Sequence, residues 1–193
     1  SAGITPRLLD VIAREPRIVR YLDMPMQHAS DPVLARMRRP ERQRTIREKV
    51  ANYREAVPGV AIRTTCIVGF PGETDGDFRA LIAFLEETRF ERVGAFTYSE
   101  QEGTRAAEFD DDVPESIKRE RLERLTEVQR GITEERYDER VGQRAVALVE
   151  QGRRARLPWQ ADDIDGVTEL DADVEPGALV EVDVTGTDDY DFT

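Results

Sequence analysis

The spacing of apolar residues in the first 140 positions alternates between the helical and the strand period. The first predicted element is a helix that Thr5 caps and Pro6 opens. Strands are predicted over 18–24, 60–68 and 93–98. Helices over 31–37 and 42–56, a helix after Thr74 and a long helix opened by Pro114 lie between and after these strands. This alternation is typical of parallel strands joined by crossover helices. Because three strands cannot close a parallel sheet, we expect further strands to precede this chain in a larger protein.

From Val141 onward the pattern changes to short strands. They are predicted over 145–150, 167–170 and 179–184, with turns at Gly152, Gly166, Pro176-Gly177 and Gly186, and residues 188–193 begin another strand. We therefore expect an α/β chain with two parts. Residues 1–140 would form the second half of an α/β barrel with a long connecting helix, and residues 141–193 a small all-β, barrel-like domain.

Composition narrows the class of protein. The chain of 193 residues is 39% hydrophobic and 35% charged, which is ordinary for a globular protein. It has no apolar run of the length that a membrane span needs, and its start lacks the pattern of a signal peptide. A single cysteine, Cys66, cannot form an internal disulfide and fits a reducing compartment. We expect a cytoplasmic protein that does not bind membranes.

The net charge of −12 is concentrated at the carboxyl-terminal end. Residues 141–193 hold 4 basic and 13 acidic side chains, a charge of −9, whereas residues 1–140 carry only −3. An acidic surface repels phosphate backbones and attracts basic partners. The distribution disfavours nucleic-acid binding through this end and favours a basic protein partner.

In an α/β barrel the functional residues follow the carboxyl ends of the strands, which here are 25–30, 69–73 and 98–104. Alternation along the strand over 60–68 places Arg63, Thr65 and Ile67 on one face. The other face carries Ile62, Thr64, Cys66 and Val68. Because an arginine is costly against apolar helices, the Arg63 face should line the barrel mouth, and Cys66 should pack as a small buried hydrophobe. His28 fits a loop role or a place in the site equally well. No metal site is predicted within this chain, because no other histidine or cysteine accompanies either residue.

Four strings together resemble one family, the radical S-adenosylmethionine methylthiotransferases, in the branch that modifies a small-subunit ribosomal protein. They are Tyr21-Leu22-Asp23-Met24-Pro25-Met26-Gln27-His28-Ala29-Ser30-Asp31, Met37-Arg38-Arg39, Thr64-Thr65-Cys66-Ile67-Val68-Gly69-Phe70-Pro71-Gly72-Glu73-Thr74, and Phe96-Thr97-Tyr98-Ser99 with Gly103-Thr104. The combination is specific, although no single string is.

The resemblance implies a partial TIM-like barrel, a carboxyl-terminal TRAM domain related to small β-barrels, and the cofactors S-adenosylmethionine and two 4Fe-4S clusters. It also implies a Cys-x-x-x-Cys-x-x-Cys loop and an amino-terminal cluster domain, neither of which this sequence contains. Since cluster irons need thiolate ligands, we expect the full-length parent to be the enzyme and the 193-residue chain to be inactive alone.

By the same resemblance, Ile67 and Gly69 would line the adenine side of the cofactor pocket, and Gln27 and Arg63 would reach its polar groups. At Cys66 the family usually has a larger apolar residue. By the alternation argument, this departure affects helix packing and not the site.

Two other functions remain open at this point. The sister branch of the family methylthiolates an adenosine of transfer RNA, but it typically lacks the Gln27-His28 pair, and an acidic end opposes RNA. We therefore favour an aspartate of a basic ribosomal protein as the substrate, with Asp162, Asp163 and Asp165 as substrate-binding residues. The third hypothesis is a non-catalytic acidic interaction module.

Overall fold

The computed structural model describes residues 4–193, in which a parallel sheet and its helices precede a second sheet. The parallel sheet has the order β1 (Tyr21–Asp23), β2 (Ala61–Val68) and β3 (Arg92–Thr97). The helices are α1 (Pro6–Arg14), α2 (Asp31–Arg36), α3 (Gln43–Ala56), α4 (Asp75–Thr88) and α5 (Glu115–Asp138), with a 3-10 helix over Arg105–Glu108. The predicted parallel strands and crossover helices are confirmed.

Local signals set the helix starts. The Thr5 hydroxyl accepts a hydrogen bond from the Leu8 amide at 3.2 Å, and Pro6 opens α1, as the sequence indicates. Thr74 and Asp77 form a reciprocal capping box at the start of α4. These caps satisfy amide groups that have no partner within a helix.

The parallel sheet has one buried and one open face. Side chains of β2 alternate as predicted, with Ile62, Cys66 and Val68 buried in the main core and the intervening residues partly exposed. That core also contains apolar residues of α1, α3, α4 and α5. On the opposite face Ile67 lies beside Phe96, whose exposed fraction is 56%. The face of the sheet opposite the core is therefore open.

The second sheet has the strand order β7-β4-β5-β6-β9-β8. Its strands are β4 (Arg144–Gln151), β5 (Arg154–Arg156), β6 (Thr168–Glu169), β7 (Leu179–Asp183), β8 (Thr187–Asp188) and β9 (Asp191–Phe192). Most neighbours are antiparallel, whereas β6 and β9 pair in parallel. A separate hydrophobic cluster lies under this sheet, and Tyr137 at the end of α5 stacks on Phe192 there, with the ring centroids 4.3 Å apart.

The structure corrects several predicted boundaries. The first strand is limited to Tyr21–Asp23, because Ile18 closes a turn on Glu15 and its side chain, like that of Val19, is exposed. Residues 188–193 form part of the β8–β9 hairpin, not one strand. The sequence analysis missed β5 and the 3-10 helix, both of which are shorter than a hydrophobic period can reveal.

Candidate functional site

Gln27 lies beside the carboxyl end of β2. Its backbone amide donates to the carbonyl oxygen of Thr65 at 2.8 Å, and its carbonyl oxygen accepts from the amide of Ile67 at 2.8 Å. The φ angle of Gln27 is +72°, which non-glycine residues rarely adopt. Its side-chain Oε1 is buried and has no hydrogen-bond partner among residues 4–193. Since an unpaired buried amide oxygen is costly, this position fits a polar group of a ligand.

An open groove of about 610 Å³ lies at this edge of the parallel sheet. Gln27 and Ile67 both line it, so the structure brings together two of the four predicted cofactor-binding residues. The remaining lining is partly apolar and partly basic: Met37, Phe70, Ala106, Phe109, Arg36, Arg38, Arg39 and Arg105. The volume is within the usual range of small-molecule sites.

Arg63 projects from the same face of the sheet, as predicted, but does not line the groove. Its Nη1 donates to Oδ2 of Asp23 at 2.7 Å, and its side chain is 15% exposed. The neighbouring strand carries Gly94 opposite this guanidinium, where a β-carbon would lie 3.0 Å from Nη2. Arg63 is therefore a paired charge on the open face, outside the groove and nearer the start of β2 than Ile67.

Gly69 shapes the turn after β2 and packs away from the groove. Its φ is +71°, and a β-carbon there would collide with the side-chain stem of Lys118 on α5. The Lys118 side chain is almost fully buried and is held by Asp111 at 2.5 Å and Glu115 at 2.7 Å. Only glycine fits this close approach in this backbone conformation. Gly69 thus supports the turn structurally, and its side toward α5 offers no space for a cofactor.

Glu73 fixes the same turn from inside. Its buried carboxylate accepts hydrogen bonds from the amides of Gly69 and Phe70, the latter at 3.1 Å. Arg121 of α5 lies 3.6 Å from the other carboxylate oxygen. These contacts hold the backbone that follows β2 in one position beside the groove.

His28 is fully buried behind this turn. Its Nδ1 accepts a hydrogen bond from the Ser30 amide at 2.9 Å, and its Nε2 lies 3.7 Å from the Glu73 carboxylate. His28 therefore takes the loop role, because it satisfies a backbone amide and faces Glu73 instead of the groove.

The three predicted substrate-binding aspartates divide into two groups. Asp162 and Asp163 are exposed, in a small surface pocket with Arg154 and Arg156. Asp165 is fully buried, accepts from Nε of Arg92 at 3.0 Å and is hydrogen-bonded by the Tyr21 hydroxyl. Its burial removes Asp165 from the surface that a substrate would meet. We revise its role to a contact between the second sheet and the amino end of the parallel sheet.

Cys66 is fully buried on the helix-facing side of β2, where the alternation argument places it. Burial raises the pKa of its thiol well above the ordinary range, so the reactive thiolate is disfavoured. The sulfur lies in the main core and does not face the groove.

Among residues 4–193 no group of three or more His, Cys, Asp and Glu side chains is placed to hold a metal ion. Within the same residues, no helix is both long and apolar enough to cross a membrane.

Comparison with known proteins finds similarity to one class of proteins. A family profile described as the radical SAM superfamily matches residues 1–85. The coproporphyrinogen III oxidase HemN of Escherichia coli, titled a radical SAM enzyme, has a similar fold, with a TM-score of 0.52 and 22% identity over 65% of this chain and 30% of that one. Residues 1–85 are therefore similar to the radical SAM superfamily, and the fold is similar to that of a radical SAM enzyme.

Curated relatives carry a more particular name. The protein named ribosomal protein uS12 methylthiotransferase RimO from Desulforudis audaxviator is 47% identical over 99% of this chain. Those of the same name from Anaeromyxobacter sp. (strain K) and Geobacter sulfurreducens are 45% and 43% identical over 96% and 98% of it. This chain spans only 44%, 41% and 44% of these three relatives. The predicted resemblance to the methylthiotransferase branch that modifies a ribosomal protein is confirmed.

Residue type and spacing do not reveal the four arginines of the groove. Arg38 and Arg39 belong to one of the strings that carry the resemblance, but the resemblance implies no role for them, and no motif marks Arg36 or Arg105. Only the folded chain brings α2 and the 3-10 helix to the same edge of the sheet.

Proposed function

We propose that this chain is the carboxyl-terminal part of a radical S-adenosylmethionine enzyme that adds a methylthio group to an aspartate of ribosomal protein uS12. The observation that carries the proposal is a sequence identity of 41–47%, over nearly the whole chain, to relatives named ribosomal protein uS12 methylthiotransferase RimO. Since that name places the substrate on the ribosome, we also propose a cytoplasmic location.

The domain assignment is part of the proposal. Residues 1–140 are the second half of a TIM-like barrel, whose missing strands would extend the sheet beyond residues 4–193. Residues 141–193 are a TRAM-like, small β domain. The separate hydrophobic clusters of the two sheets support this division.

S-adenosylmethionine fits the groove through two of its predicted residues. Ile67 offers an apolar wall for the adenine, and the unpaired Oε1 of Gln27 is an acceptor for a polar group. Bound there, the cofactor would supply the radical chemistry of the family. In this proposal Arg63 and Gly69 do not contact the cofactor directly. Arg63 pairs with Asp23, and Gly69 packs on Lys118.

The iron-sulfur clusters do not fit this chain. Cys66, the single cysteine, is buried among apolar side chains, and burial holds its thiol protonated through a raised pKa. The ligands of both 4Fe-4S clusters would lie in the upstream part of the full-length parent. We therefore propose that residues 1–193 alone bind no cluster and are inactive; a stoichiometric cluster after anaerobic reconstitution, measured by iron analysis, would contradict this.

The activity is tested on the full-length protein with its clusters reconstituted. Incubated under anaerobic reducing conditions with S-adenosylmethionine, a sulfur source and purified uS12, it should raise the mass of uS12 by one methylthio group on an aspartate. Transfer RNA is the second substrate to be tested. Modification of transfer RNA with unchanged uS12 would support the sister branch, and modification of neither would support a non-catalytic module.

Asp162 and Asp163 remain proposed contacts for the basic surface of uS12, because both are exposed within the acidic residues 141–193. Replacing both with lysine should weaken uS12 binding about three- to tenfold and flatten its dependence on salt, since exposed charges steer association. The matched control replaces the exposed Glu55 and Glu123, outside this region, with lysine. Equal weakening in both double variants would indicate a general effect of net charge.

A further inference from the structure

Four arginine side chains line the groove, and the proposed cofactor contacts use none of them. Arg36, Arg38 and Arg39 approach it from the end of α2, and Arg105 approaches from the 3-10 helix. Among residues 4–193 no aspartate or glutamate lines the groove, although Glu108 lies 3.8 Å from Arg105. In a chain with a net charge of −12, this is a local reversal of sign.

Backbone carbonyl groups, not carboxylates, orient two of these arginines. Nη1 of Arg36 donates to the carbonyl oxygen of Gly72 at 2.6 Å, and Nη2 of Arg39 donates to that of Pro25 at 3.3 Å. A carbonyl positions a guanidinium without neutralising its charge, and each guanidinium has further N–H donors. Arg36 and Arg39 are therefore positioned while their charge stays available to an anion.

Arg38 occupies an unfavourable backbone conformation. It follows the end of α2 with φ at +55°, where glycine is the usual residue. Gln27, which also lines the groove, has φ at +72°. The surrounding structure thus holds two non-glycine residues that border the same groove in an unfavourable backbone conformation.

We infer that the arginine-lined part of the groove binds the side-chain carboxylate of the acceptor aspartate of the protein substrate. Arginine forms paired, charge-assisted hydrogen bonds with carboxylates. Phe70 and Phe109 add apolar walls that suit a peptide segment. This inference rests on the proposed function, and it resolves a difficulty in it, because a mostly acidic protein would otherwise repel the aspartate that it must receive.

The test measures binding of uS12 to the full-length protein in two forms, the wild type and a variant in which the acceptor aspartate is asparagine. The enzyme variant is Arg38→Gly, which removes the charge and suits the positive φ, so the protein should lose no thermal stability. Arg38→Lys keeps the charge at this position. The control is Arg7→Ala, an exposed arginine on α1.

We expect Arg38→Gly to weaken binding of wild-type uS12 about tenfold, with little effect on the asparagine form, which the unaltered protein should already bind more weakly. Arg38→Lys should recover part of the loss, and Arg7→Ala should change nothing. An equal loss for both forms of uS12, or a loss of S-adenosylmethionine affinity with unchanged uS12 binding, would overturn the aspartate assignment while leaving the proposed function intact. Failure of the unaltered protein to bind either form would overturn both.

Discussion

The charged side chains at the two ends of the parallel sheet differ in burial and pairing. At the amino end, Asp165 is fully buried and satisfied by Arg92 and the Tyr21 hydroxyl. At the carboxyl end, backbone carbonyls hold Arg36 and Arg39, and none of the acidic side chains of residues 4–193 lines the groove. A buried pair costs much free energy when one partner is removed, whereas an exposed, uncompensated charge costs little. The amino end therefore contributes stability, and the carboxyl end is available for a ligand.

The amino-end network also joins the two sheets. Arg92 and Tyr21 begin β3 and β1, while Asp165 comes from the loop before β6. The Arg92 guanidinium additionally lies 4.0 Å from the ring centroid of Tyr190, another residue of the second region. The second sheet is thus held at the end of the parallel sheet that is remote from the groove.

Asp165→Asn should have the largest effect on stability. It leaves Arg92 without a charged partner in a buried position, and we expect a loss of about 3 to 5 kcal/mol in the free energy of unfolding. Asp163→Asn is the matched control, because Asp163 is exposed in the same loop and its φ of +57° suits asparagine. Denaturant unfolding of both variants measures the difference, and an equally small loss in both would remove the contrast between the two ends.

Cys66→Ala should have an intermediate effect. Cys66 lies near the carboxyl end of β2 but on its helix-facing side, in the core, so the variant loses packing worth about 1 to 2 kcal/mol. Turnover of the full-length enzyme should remain nearly intact, because the thiol faces away from the groove. Abolished turnover in a variant that unfolds normally would show that the facing of β2 side chains is wrong.

The smallest expected effect is on the pH dependence of stability at alkaline pH, through Tyr21 at the amino end of the parallel sheet. Burial, reinforced by the hydrogen bond to Asp165, raises the pKa of Tyr21 above its usual value. The unfolded chain therefore releases this proton first, near pH 10, and stability falls as the pH rises beyond that value. Tyr21→Phe should make the decline above pH 10 shallower.

Chemical denaturation at several alkaline pH values measures this slope. Cys66 contributes its own decline above about pH 8.5, because burial also raises the pKa of its thiol, but this contribution is the same in both proteins and cancels when their slopes are compared. An unchanged slope in Tyr21→Phe would contradict the burial and pairing of the Tyr21 hydroxyl.

The sequence predicted most of the fold because its signals are local. Alternation along β2 placed Ile67 toward the open face and Cys66 in the core, and Thr5 and Pro6 marked the start of α1. The site was predicted less completely. Gln27 and Ile67 do meet in the groove, but the burial of Asp165 depends on Tyr21 and Arg92, which lie 144 and 73 residues away in the chain. No periodicity or composition reveals such a contact.

The groove arginines show the same limit. Their sequence neighbours give no hint that Arg105 comes within reach of Arg38, because this depends on how the loop after β3 returns to the sheet. The net charge by segment does not reveal these arginines either, because the charges of residues 1–140 nearly cancel.

The most direct test of the account is an experimental structure of the full-length protein with S-adenosylmethionine bound. The account predicts that the cofactor lies at the carboxyl end of the parallel sheet, with the side chain of Ile67 against the adenine and Oε1 of Gln27 accepting a hydrogen bond from a polar group. The contacts of Asp165 with Tyr21 and Arg92 should be unchanged at the other end. A cofactor bound elsewhere, with the groove empty and Gln27 unpaired, would contradict the claim that this groove is the functional end of the sheet.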